Sequence, residues 1–173
     1  VMCRWFASVA RQPTADEIGA MIDRGRALLK EVGEPAPRAE FLIAIGFMPF
    51  WVRNAGIRLP TERDLEEAKA SVAEGLAIAE QLDDAALVSA ALDAMTSHEQ
   101  TMDPRRAREI SRRRVAMAHR LTLSERSDAL NMVAWTSAML GDLPQVVDSS
   151  VAGLALLQPG QNPAFGMNSA SWH

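Results

Sequence analysis

The chain has 173 residues, 18 basic and 22 acidic, giving a net charge of −4, with three histidines and one cysteine. That balance is too mild to single out nucleic acid or an acidic membrane as partner, and a lone cysteine excludes an internal disulfide. Hydrophobic content is 48% but aromatic content only 5%, with no tyrosine, so the core must rest on small and aliphatic side chains, as in closely packed helices.

In chain order, residues 1–10 read as a helix. Pro13 stops it, and Thr14-Ala15-Asp16-Glu17 then carries a capping-box pattern that opens a helix over residues 15–32, closed at Gly33. After Pro35 and Pro37 comes a helix bearing Phe41, Leu42, Ile45, Met48 and Trp51, which Pro49 should kink for want of an amide donor. Thr61 starts the next helix, over residues 62–82. Asp84 begins another, running to about Met102. Asp103-Pro104 pairs an N-cap with a first-turn proline and launches a helix to Leu121. Ser124 is expected to cap a helix ending at Leu140, and Pro144 one ending at Leu157 before Pro159-Gly160. Pro163 begins a last helical pattern that reaches His173. The expectation is eight helices and the start of a ninth, with no strand. Helical patterns at both ends suit a fragment of a longer protein.

The informative feature is a period. Gly75-Leu76-Ala77-Ile78-Ala79 returns as Arg114-Val115-Ala116-Met117-Ala118 and as Gly153-Leu154-Ala155-Leu156-Leu157, each 39 residues after the last. Ala68, Ala107 and Val146 keep the same spacing, as do Leu82 and Leu121, and Ala94 and Val133. A fixed period of this size marks stacked helix pairs, each burying its apolar stripe against the next. The expected pairs are residues 1–33, 36–83, 85–121 and 124–157, with a fifth begun at 163–173, all in one helical-repeat domain.

With Leu140-Gly141-Asp142-Leu143 at a helix turn, and small residues at Ala68, Ala107, Gly75 and Gly153, the whole chain resembles the tetratricopeptide repeat family. The family's unit is about 34 residues, so the unit here would be roughly one helical turn longer. The Gly turn is replaced by Met102-Asp103-Pro104 in one repeat and by Pro13 in another. The resemblance implies an all-α, right-handed superhelical array that binds protein or peptide partners. The longer unit is similar to repeat regions of bacterial multidomain signalling proteins, such as nucleotide cyclases and large transcriptional activators. It therefore implies a regulatory or scaffolding, non-enzymatic role.

Candidate sites emerge from charge and exposure. Seven arginines (105, 106, 108, 112, 113, 114 and 120) lie on one helix with no aromatic to stack a base. The acidic helix before it carries Glu62, Asp64, Glu66, Glu67, Glu74 and Glu80, and the two are expected to neutralise each other across a repeat boundary. Arg114 falls on the apolar face where the period wants glycine, so it must either form a buried ion pair or anchor a ligand. The concave groove would be lined by Asp128, Asn131 and Trp135, with Asn168 and Trp172 repeating the Asn-x-x-x-Trp spacing and Leu92, Thr96 and Glu99 in the preceding repeat. Each Trp could equally fill a gap between repeats.

No catalytic site, cofactor or metal is expected. His98-Glu99 and His119 lack ligand spacing, there is no phosphate loop or nucleophile elbow, and Cys3 beside Trp5 and Phe6 reads as a small buried hydrophobe. No apolar run approaches the roughly 20 residues of a spanning helix. Arg4 and Arg11 interrupt the start a signal peptide would need. A cytoplasmic setting is the expectation, with oligomeric state undetermined. A second reading is a sensory module that takes a small ligand in a cavity near Phe41, Phe47, Phe50 and Trp51, controlling an attached effector domain.

Overall fold

The computed structural model describes residues 13–100 and 102–156. Among these, every regular element is helical: α1 (Ala15–Glu31), α2 (Pro35–Asn54), α3 (Glu62–Gln81), α4 (Ala85–Glu99), α5 (Pro104–Ala116), α6 (Leu123–Met139) and α7 (Leu143–Leu154), with a one-turn 3₁₀ segment at Ala118–Arg120. Seven α-helices thus stand among the described residues. The helices expected over residues 1–10 and 163–173 lie outside them. Among the described residues no helix is long and apolar enough to cross a membrane.

Side-chain caps set most of the starts. Thr14, Thr61 and Thr122 each accept from the amide three residues on, while the acidic side chain there (Glu17, Asp64, Glu125) accepts from the threonine's own amide. Asp103 and Asp142 cap α5 and α7, each followed by proline within two residues. The start of α6 differs from the expected Ser124 cap. Thr122 has an acid three residues later and Ser124 does not, so the reciprocal box forms two residues earlier.

Helix ends depart further from expectation. Val32 closes α1 in an extended conformation (φ −93°, ψ 109°), and Gly33 is not among the residues with positive φ. Glu34 must stay extended ahead of Pro35, so the three-residue link has no room for a left-handed turn. α4 ends at Glu99 rather than near Met102. α5 ends at Ala116, not Leu121, and loosens into the 3₁₀ turn. There the Ala118 carbonyl accepts both from the Leu121 amide at 3.1 Å, closing the 3₁₀ turn, and from the Nε of Arg126 at 2.6 Å.

Three helices end in the same left-handed turn, at Gly56 (φ 66°), Asp83 (φ 51°) and Gly141 (φ 73°). In each, an amide bonds back to the carbonyl five residues earlier: Ile57 to Val52 at 3.0 Å, Asp84 to Ala79 at 3.1 Å and Asp142 to Ser137 at 3.0 Å. Asp83 does without glycine a job that the other two turns give to glycine.

Contacts divide the chain into two compact units, residues 1–94 and 95–173, with the division inside α4. In the first unit α2 and α3 pack tightly. Ala68, Val72, Gly75 and Ala79 form the buried face of α3 against a side of α2 that includes Ala39 and Ile43. A Cβ added at Gly75 would lie 2.9 Å from Ile43 and 3.3 Å from the Ala39 carbonyl, so the close approach requires glycine. α1 joins through Ile18, which clusters with Met48 and Val52 of α2.

The second unit packs α5, α6 and α7 through small residues: Ala107 and Ser111, Ala129 and Ala134, Ser149 and Ser150 are all buried. The hydroxyl of Ser111 donates to the Ala107 carbonyl at 2.9 Å, and that of Ser150 to the Val146 carbonyl at 2.7 Å. These bonds sit 39 residues apart on equivalent turns. The period is therefore visible in burial and bonding: Ala68, Ala107 and Val146 are buried, as are Val72, Ser111 and Ser150, and Gly75, Arg114 and Gly153.

Candidate functional site

α6 carries the residues the sequence singles out, and burial separates them. Trp135 is 37% exposed, with Met139 one turn later at 42%. Asn131 is buried at 6%, because helix faces that flank the small residues Ala129, Val133 and Ala134 are drawn into the same close packing. Asp128 is half-buried and engaged: its carboxylate accepts from the Arg114 guanidinium at 2.7 Å. Of the expected stripe Asp128–Asn131–Trp135, Trp135 alone is classed as exposed.

On α4, Leu92 and Thr96 are buried, and the Thr96 hydroxyl lies 3.4 Å from that of Ser111. Neither has surface to offer a partner, which corrects their placement in a groove: burial takes in positions that a simple amphipathic pattern leaves open. Glu99 is half-buried. Asn168 and Trp172 lie outside the described residues.

Arg114 occupies the position that holds glycine in the other two copies of the period. Its side chain is 3% exposed, and it meets Asp128 on α6. Of the two roles open to it, the geometry has the ion pair. A cation taken so far out of water needs such a partner.

Other arginines of α5 reach the start of α7. Arg108 pairs with Asp142 at 2.9 Å, and Arg112 donates to the Gln145 side chain at 2.9 Å. Arg106 pairs within its own helix with Glu109 at 3.3 Å. The acids of α3 find arginines in the first unit: Glu67 with Arg26, Glu74 with Arg38, and Asp64 with Arg58 at 2.7 Å. These pairs of α3 thus lie within the first unit, and those of Arg106 and Arg108 within the second.

A second exposed feature escaped the sequence reading. Leu143, Val147 and Val151 stand at 65%, 43% and 47% exposure along α7, four residues apart and hence on one stripe. Counting 39 residues back, they match Pro104, Arg108 and Arg112 of α5. On α5 this is the face whose arginines reach Asp142 and Gln145. On α7 the same face is apolar and open. The replacement of two arginines by valines at the period was the signal that could have found it.

In the first unit, a cavity of about 210 Å³ lies among α1, α2 and α3. Ile18, Ile45, Met48 and Val52 give it an apolar floor, and Asp23, Arg26, Arg58, Asp64 and Glu67 a charged lip. The Asp64 carboxyl is held well below the usual carboxylate range, first by its hydrogen bond from Arg58, then, against a burial cost, by those from Thr61. Arg58 is correspondingly raised by Asp64. Among the described residues no three His, Cys, Asp or Glu side chains group so as to hold a metal ion.

Compared with family models, with characterised proteins and with solved structures, the chain has no significant match.

Proposed function

We propose that this chain is a non-enzymatic helical-repeat module of the long tetratricopeptide-like kind, binding a protein or peptide partner as the regulatory or scaffolding part of a larger bacterial signalling protein. The 39-residue recurrence of burial and of serine back-bonding supports helix pairs built on one plan. The observation that carries the binding role is the open stripe Leu143–Val147–Val151.

On α5 this face receives the first turn of the next second helix, through Asp142 and Gln145. By the same plan a helix would seat on the equivalent face of α7, and its exposed valines and leucine call for apolar side chains on the occupant. The partner is therefore an amphipathic helix with apolar residues at i, i+4 and i+7. Trp135 and Met139 add a second open apolar pair on α6.

Selection of displayed helical peptides against the purified chain tests this. Enriched peptides should share that apolar spacing, and Val147→Lys, at an exposed position, should weaken their binding at least tenfold. Trp135→Ala should cost about 2 kcal/mol if the α6 pair is a hot spot. Binding indifferent to both substitutions, or no enriched peptide, refutes the proposal.

A further inference from the structure

We propose that the cavity among α1, α2 and α3 is a binding site for a small primary amine with an apolar body. This is separate from the surface of α7 and stands or falls without it.

Size and floor set the body. The volume is about 210 Å³, and a dry cavity of about 150 Å³ is enough to take up benzene. Ile18, Met48 and Val52 are each less than a tenth exposed and leave the floor without a polar side chain. An aliphatic or aromatic ring of six or seven carbons is matched to that space.

Two features choose the head group. Pro49 lies inside α2 and has no amide to donate to the Ile45 carbonyl, four residues earlier, and both residues line the cavity. That carbonyl therefore lacks its usual helical donor. The lip holds three carboxylates, Asp23, Asp64 and Glu67, against two guanidinium groups, Arg26 and Arg58. Both guanidinium groups are already turned to carboxylates, Arg26 to Asp23 and Glu67, Arg58 to Asp64. An anion would meet unfavourable charge here. An ammonium, a pure donor, can satisfy the carbonyl and meet the surplus carboxylate charge at once.

The way in is open at Gly19, which lines the cavity: a Cβ there would have nothing within 4 Å. Gly19 is exposed, within α1, so a larger residue is tolerated by the helix while its side chain obstructs the cavity.

The experiment is a methyl-NMR titration of the full chain with benzylamine, with toluene and benzoate in parallel. Benzylamine should give saturable shifts at Ile18, Ile22 and Val52, toluene weaker ones and benzoate none. Gly19→Leu should lower benzylamine affinity about tenfold or more while the thermal melt stays unchanged or rises. Glu67→Gln, at an exposed position, should lower it about threefold or more without changing the shift pattern. Absence of saturable shifts, benzoate binding as well as benzylamine, or affinity unmoved by Gly19→Leu would overturn the site. Affinity unmoved by Glu67→Gln would overturn the assignment to an amine.

Discussion

Arg114 and Asp128 should respond unequally to the loss of each other, and the inequality comes from burial. Arg114's side chain is 3% exposed and Asp128's 34%. Removing the carboxylate by Asp128→Ala takes this acidic partner from a guanidinium that is almost wholly out of water. Breaking a buried pair in this sense costs roughly 3–5 kcal/mol, and the open side of Asp128 places the present case at the lower end, about 3 kcal/mol. Removing the cation by Arg114→Met keeps most of the buried stem volume. Asp128 can then recover hydration through its exposed third, so the loss should stay within about 1 kcal/mol. Urea denaturation followed by circular dichroism measures both, with the slope checked so that a midpoint shift can be read as stability. In the double variant the loss should fall well short of the sum of the single losses, because Asp128→Ala costs little once the guanidinium is gone. If Arg114→Met costs as much as Asp128→Ala, desolvation of the guanidinium is not what governs this pair.

Gly141→Ala should destabilise the chain by about 1 kcal/mol, because a Cβ strains the left-handed turn at φ 73°; an unchanged or higher melting temperature would refute this. Leu121, buried at 7%, should cost roughly 2–4 kcal/mol when changed to alanine, and a loss under about 0.5 kcal/mol in urea titration would mean the site is not packed. The Asp64 carboxyl, depressed in the fold by Arg58 and Thr61, contributes stability that is present above its unfolded value and is lost as pH falls below about 4. Asp64→Asn should therefore flatten the acid limb of a pH–stability curve, and an unchanged limb refutes the assignment.

Local chemistry made much of the fold legible in the sequence. Thr14, Thr61 and Asp103 sit at helix starts because their side chains satisfy amides within the next turn, a requirement that does not depend on distant residues. The 39-residue period likewise showed through, since Ala68, Ala107 and Val146 are each buried on their own helix. Where the reading fell short, the deciding partner was remote in the chain. Arg126 reaches back to the Ala118 carbonyl and α5 gives way to a 3₁₀ turn five residues before Leu121. Asn131 and Thr96 look available on a helical wheel, yet they are buried, because only packing reveals how many sides of a helix are covered. The open stripe of α7 and the cavity floored by Ile18, Met48 and Val52 belong to the same class. Exposure and enclosed volume are properties of several helices at once, and no single stretch of sequence contains them.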